Sequence, residues 1–187
     1  MDLGELIKAC KNNHRAAQKA LYDQYRRQMF SICLRYCDDY QLACDAMQEG
    51  FISVFENIHQ LADHEKVTAW IKKIIIRSSL AQLRKKKNLN FAPLDEMDDS
   101  YAVDVPSHTF EFNYNYDKLM SHLQSMPAGY QTIFSMYVLD DLDHKEIAEL
   151  MNIDISTSRT QLFKARKYMQ KLILNDKSLL NELKYRI

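Results

Sequence analysis

The chain has 187 residues, room for one or two small domains, and its 25 basic and 25 acidic side chains leave no net charge. Binding of nucleic acid through bulk positive charge is thereby excluded, since counterion release needs an excess of cations; any such surface must be local. Only three glycines and three prolines occur, which argues for helices and against a β-sandwich or a Gly-rich phosphate loop.

No apolar run approaches the roughly 20 residues that span a bilayer, and Met1-Asp2-Leu3-Gly4-Glu5 lacks the basic and apolar segments of a signal peptide. The expectation is a cytoplasmic chain without stable membrane insertion, whose cysteines (Cys10, Cys33, Cys37 and Cys44) are reduced. Cys33 and Cys37 would share a helical face, but a zinc site needs tighter spacing and a fourth ligand, so small apolar core residues are the simpler reading. The histidines are scattered and form no HExxH. Neither a metal nor a cofactor is expected.

Successive helices are predicted from Leu3 to Lys87. Leu21, Tyr25, Phe30, Ile32 and Tyr36 mark one apolar stripe, and Ala43, Met47, Phe51, Val54, Phe55 and Ile58 mark the next. A third helix, from about Val67 to Lys86, carries Trp70, Ile74, Ile75, Leu80 and Leu83 and ends in Arg84-Lys85-Lys86-Lys87, where positive charge suits a helix C-terminus. From Asn88 to Tyr116 there is no Lys or Arg, two prolines and six acids, among them Asp95, Glu96, Asp98 and Asp99. Without sustained periodicity, this reads as an acidic, extended linker.

Helical pattern resumes at Asp117. Ser125-Met126-Pro127 resembles a helix entry, with Ile133, Phe134, Tyr137 and Val138 as the apolar face that follows. Asp143-His144-Lys145-Glu146 has the form of a capping box, and Ile147, Ala148, Leu150 and Met151 give a short helix its buried side. Asn152 suits a left-handed turn, Ile153 a corner plug, and Ser156 the N-cap of the next helix. In that helix Ser158, Leu162, Ala165, Met169 and Leu172 recur at spacings of four and three. Thr157, Arg159, Thr160, Gln161, Lys164, Arg166 and Lys167 cover the remainder, and no acid occurs from Ser156 to Lys171. Hydroxyls and amides hydrogen-bond base edges, while Arg and Lys serve bases or phosphates, so the pattern reads as a helix-turn-helix with Thr157, Arg159, Thr160, Gln161 and Lys164 as its readers.

The N-terminal half narrows the choice. "ACDAMQEGFISVF" places Asp45, Gln48 and Glu49 on a polar helical face opposite Met47, Phe51 and Val54. "LADHEKVTAWIKKIIIRSSLAQLRKKK" then joins a short polar loop to an aromatic, basic helix, a combination that suits a single strand. With these motifs in this order, the sequence resembles the extracytoplasmic-function (ECF) sigma factors over nearly its whole length. The resemblance implies an all-α fold: a region 2-like domain (1–88), an acidic linker (89–117) and a region 4-like helix-turn-helix domain (118–187). It further implies a transcription initiation factor, itself no enzyme, that binds core RNA polymerase through the β′ clamp helices and the β flap and directs it to promoter DNA. Asp45, Gln48, Glu49 and Phe51 match the family's clamp-binding stretch. Asp63, His64 and Lys66 fall in the loop that captures a flipped base of the −10 element. Lys72, Lys73, Arg77, Arg84 and Lys85 are the expected phosphate contacts on the following helix. Arg77 stands where many relatives have Asn, Ala81 where Asp is common, and Gln161 where Arg is frequent; the last would favour adenine over guanine. An anti-sigma factor is a further partner that the family implies.

Two other readings fit the residues alone. A dimeric helix-turn-helix regulator would bind a palindromic duplex without polymerase, and a helical adaptor would leave transcription indifferent to its basic helix. No nucleophile–base pair or phosphate loop favours an enzyme.

Overall fold

Helix α1 (Leu3–Lys11) starts on a capping box: Glu5 N–H donates to Asp2 Oδ1 at 2.8 Å, and Asp2 N–H to the Glu5 carboxylate at 3.3 Å. Leu6, Ile7 and Cys10 are its buried side. This is the first element of a computed structural model that describes residues 2–37, 39–87 and 116–176. The expected acidic linker and a last helix beyond Asn175 lie largely outside those residues. All secondary structure among the described residues is helical, and the chain divides into two compact units, Met1–Asn90 and Phe91–Ile187.

In the first unit α2 (Arg15–Tyr36), α3 (Tyr40–Asn57) and α4 (Val67–Lys87) pack on one another, with α1 laid against α2. The stripe of α2 runs through Leu21, Tyr25, Met29, Ile32, Cys33 and Tyr36; Phe30, expected in it, is half-buried and stacks edge-on with Tyr40. Four-residue steps keep Met29, not Phe30, on the face begun by Leu21 and Tyr25. Helix α3 buries Ala43, Met47, Phe51 and Val54 as expected, and Gly50 with them. A Cβ on Gly50 would lie 2.5 Å from Ile75 Cδ1, and Ser78 Oγ donates to Ala46 O at 2.8 Å, so glycine permits the close crossing of α3 and α4. On α4 the core residues are Val67, Ile71, Ile75, Ile76, Leu80 and Leu83, whereas Trp70 and Ile74 are half-buried. In a run of three isoleucines, only contact with α2 and α3 decides which two turn inward.

Cys10, Cys33 and Cys37 are buried. Burial pushes the Cys33 thiol up to about 11, against an opposing hydrogen bond with Ser79, so it stays protonated at neutral pH.

In the second unit Leu123, Met126, Tyr130, Phe134, Ala165 and Met169 form one core, contributed by α5 (Tyr116–Gln124), α6 (Ala128–Phe134), the turn between them and α8 (Ile155–Asn175). Pro127 is the N-cap of α6, one position before the first turn. A π turn, Ser135–Leu139, continues α6, and its wider loop rotates the register. Ile133 and Phe134, which precede the π turn, are buried, but Val138 within it, expected on the same face, is 41 % exposed. Asp141, at φ 56°, redirects the chain into α7 (His144–Met151).

Candidate polymerase and nucleic-acid interfaces

The α7–α8 pair has the predicted turn chemistry. Glu146 N–H donates to Asp143 Oδ1 at 2.8 Å and Asp143 N–H to Glu146 Oε2 at 2.9 Å, closing the capping box. Asn152 takes φ 56° and ψ 53°, the left-handed region, and Ile153 N–H returns to Ala148 O at 3.0 Å. The start of α8 differs from expectation. Asp154 is its N-cap, Ser158 N–H bonds Asp154 O at 3.0 Å, and Ser156 is exposed within the first turn. The helix begins earlier because the backbone of Asp154 is already extended and its carbonyl is free to accept the first helical bond. His144 Nδ1 lies 3.0 Å from Ser158 Oγ and ties α7 to α8; its ring also stacks on Tyr137, 4.8 Å between centroids. Burial, reinforced by Arg159 and Arg166 and opposed by Asp143, holds His144 below the ordinary histidine value, so the imidazole is neutral at pH 7.

Ser158, Leu162, Ala165 and Met169 face the core. On the opposite side Arg159, Thr160, Phe163, Arg166 and Lys167 are exposed, with Thr157 and Lys164 half-buried at the edges. Gln161 requires a correction. Expected among the readers, it is only 7 % exposed, and its Oε1 is buried without a hydrogen-bond partner. Three residues after Ser158 and four before Ala165, it falls on the inward stripe. Gln161→Met, which removes the stranded acceptor at similar volume, is expected to stabilise the second unit by about 1 kcal/mol. Thermal denaturation would show a rise of roughly 4–8 °C; a fall would mean the amide is satisfied.

The residue overlooked on this face is Phe163. It is 59 % exposed, and Lys167 Nζ sits 4.6 Å from its ring centroid. A large apolar side chain at i+3 and i+4 from Thr160 and Arg159 falls where periodicity assigns solvent, and that was the available signal. Arg166, one turn on, stacks over Tyr137 at 5.3 Å.

In the first unit Asp45, Gln48 and Glu49 are exposed together on α3. Phe51 differs from them: it is 3 % exposed and meets Tyr22 edge-on at 4.8 Å. It forms the floor of a groove of about 840 Å³ between α2 and α3, also lined by Tyr22, Arg26, Tyr40, Gln48 and Ile52. Ile52, 50 % exposed one turn after Gln48, is the apolar residue this face actually presents. Four-residue spacing from Gln48, opposite the Met47–Phe51–Val54 stripe, could have identified it.

The loop before α4 has local contacts of its own. Asp63 caps a short 3₁₀ turn, His64–Lys66, accepting from Glu65 N–H at 3.0 Å and facing Lys66 Nζ at 3.8 Å. His64 and Lys66 are exposed. Along α4 Lys73, Arg77 and Lys85 are exposed, and Lys72 and Arg84 half-buried. Lys85 Nζ lies 3.6 Å from Glu49 Oε1, so the acidic face of α3 and the basic end of α4 adjoin. Solvent exposure keeps the energy of that pair small.

Comparison with known proteins accounts for both units. The model described as "Sigma-70 region 2" matches residues 21–89, and "Sigma-70, region 4" matches residues 116–169. Among curated proteins the chain is similar to ECF RNA polymerase sigma factor SigM of Bacillus subtilis, at 28 % identity over 81 % of this chain and 92 % of the relative. It is also similar to RNA polymerase sigma factor SigV of that organism, at 26 % identity over 78 % and 84 %, and to its ECF RNA polymerase sigma factor SigW, at 23 % over 91 % and 96 %. The solved structure of CnrH in complex with the cytosolic domain of CnrY shares the fold at a TM-score of 0.55 and 12 % identity, covering 92 % of this chain and 97 % of that one. The protein belongs to the sigma-70 family, in its extracytoplasmic-function branch, and is a factor that directs RNA polymerase to promoters.

Proposed function

We propose that the two units divide promoter recognition between duplex and melted DNA. The second unit lays α8 in the major groove of the −35 element, with Arg159, Thr160, Phe163 and Lys164 toward base edges and Arg166 and Lys167 toward phosphates. In the first unit Asp45, Gln48, Glu49 and Ile52 dock on the β′ clamp helices. The loop bearing Asp63, His64 and Lys66 holds an extruded −10 base, while Lys72, Lys73, Arg77, Arg84 and Lys85 follow the strand. Unstacking one base costs a few kcal/mol, offset by the contacts that receive it. The chain supplies no catalytic residue; polymerase performs nucleotidyl transfer, and the site of action is the cytoplasm. The β flap is the contact suggested for the second unit. The relative solved with the cytosolic domain of CnrY supports an anti-sigma factor as a further partner.

One observation carries the reading. On α8 the buried stripe and an acid-free face of Arg159, Thr160, Phe163, Arg166 and Lys167 lie on opposite sides of a helix-turn-helix. Zero net charge fits an affinity shared with core enzyme, since the chain alone has too few uncompensated cations to hold DNA tightly. The test is reconstitution with core polymerase on promoters scrambled at one element at a time. Expected is transcription that needs the chain and falls on scrambling either element. Tight binding of the chain alone to a two-fold duplex site, with no polymerase-dependent transcription, would establish the dimeric regulator instead.

A further inference from the structure

The loop at Leu61–Lys66 is held from outside the part of the chain that the region 2 model matches. Lys11 Nζ donates to Leu61 O at 2.7 Å across 50 residues of sequence. Leu61 itself is buried, and its N–H is already used on Ile58 O at 3.2 Å, so this carbonyl marks the point where the chain leaves the core for the loop. Helix α1, which carries Lys11, packs against both the Ile58–Gln60 turn and the His64–Lys66 turn. A Cβ built on Gly4 would lie 3.5 Å from His64 Nε2, which puts the imidazole against the start of α1. The helix is itself well anchored by its capping box and by Leu6, Ile7 and Cys10. It precedes residue 21, where the matched segment begins.

We propose that α1 is a strut that presents the base-holding loop, and that Lys11 is its positioning residue. The ammonium fixes the direction of the Leu61 carbonyl and hence the path by which Asp63 and His64 reach the strand. A buried-side carbonyl without that donor would turn to find water and take the loop entrance with it. Lys11 touches neither DNA nor polymerase in this scheme; it acts through the loop. The inference rests on the loop's assignment under Proposed function.

The experiment compares holoenzymes carrying Lys11→Met, which keeps the aliphatic stem and deletes the donor, Lys11→Arg, which restores one, and Asp63→Ala with His64→Ala. Open-complex formation is measured on promoters with single −10 and −35 substitutions. Lys11→Met is expected to lower discrimination at one −10 position by about fivefold, the scale of one hydrogen bond's net contribution. Discrimination at −35 and affinity for core polymerase should not change, and Lys11→Arg should restore most of the loss. In the free full-length chain, amide exchange should quicken at 62–66 but not in α2 or α3. Should Lys11→Met fold poorly, Lys11→Gln, whose donor is too short to reach, replaces it. Normal −10 discrimination in Lys11→Met alongside a loss in the loop variant would overturn the role of Lys11 alone. Normal discrimination in both would overturn the loop assignment as well, and a uniform loss at −10, −35 and core binding would reduce Lys11 to a general stabiliser.

Discussion

Ile52→Asp is expected to weaken binding to core RNA polymerase by about 30-fold, the factor that corresponds to a hot-spot contribution of roughly 2 kcal/mol. Ile52 is half exposed beside Gln48 and Glu49, and it borders a groove floored by Phe51 and walled by Tyr22 and Tyr40. A docking helix that covers this face removes Ile52 from water, and a carboxylate in its place must be desolvated without a partner. Because the side chain faces solvent in the free chain, the unfolding free energy should move by no more than about 0.5 kcal/mol. Phe51→Ala would lower affinity too, but through loss of the core: Phe51 is 3 % exposed, and truncation of a buried Phe costs about 3–5 kcal/mol. Competition for core enzyme against labelled wild-type chain, with thermal melts of each variant, separates the two causes. Unchanged competition by Ile52→Asp would remove this face of α3 from the interface.

Phe163→Ala is expected to reduce transcription from a −35-dependent promoter by about tenfold and to leave a promoter without that element unaffected. The ring stands outward on the basic face of α8, 59 % exposed, with Lys167 over it. In the major groove its natural contact is the C5-methyl of thymine. Deoxyuridine in place of each −35 thymine in turn removes only that methyl. At one position the wild-type chain should lose about three- to fourfold, close to the roughly 0.8 kcal/mol of one buried methylene-sized group. Phe163→Ala should lose nothing further there, because contacting groups are non-additive. Full additivity at every thymine would place the ring elsewhere.

The helix-turn-helix was legible in the sequence because each of its signals is local. The Asp143–Glu146 box, left-handed Asn152 and the Ser158, Leu162, Ala165, Met169 stripe depend on residues within about one or two turns. Chemistry misled where it opposed geometry. Gln161 has the spacing of a core residue and the amide of a reader, and packing within the second unit decided for the core. Phe163 and Ile52 are the converse: apolar side chains at solvent positions that the fold leaves exposed.

By itself, then, the sequence determined that the described residues are helical, that the second unit carries a basic helix in a helix-turn-helix, and that α3 carries an acidic face. Those properties follow from periodicity, capping and charge along one segment. Tertiary structure alone decided which edge residues of each stripe turn inward, how the π turn rotates Val138 outward, and that Lys11 meets Leu61. A helix's pattern defines a broad apolar stripe but not its margins, and nothing local relates two groups 50 residues apart; both are settled only when helices pack.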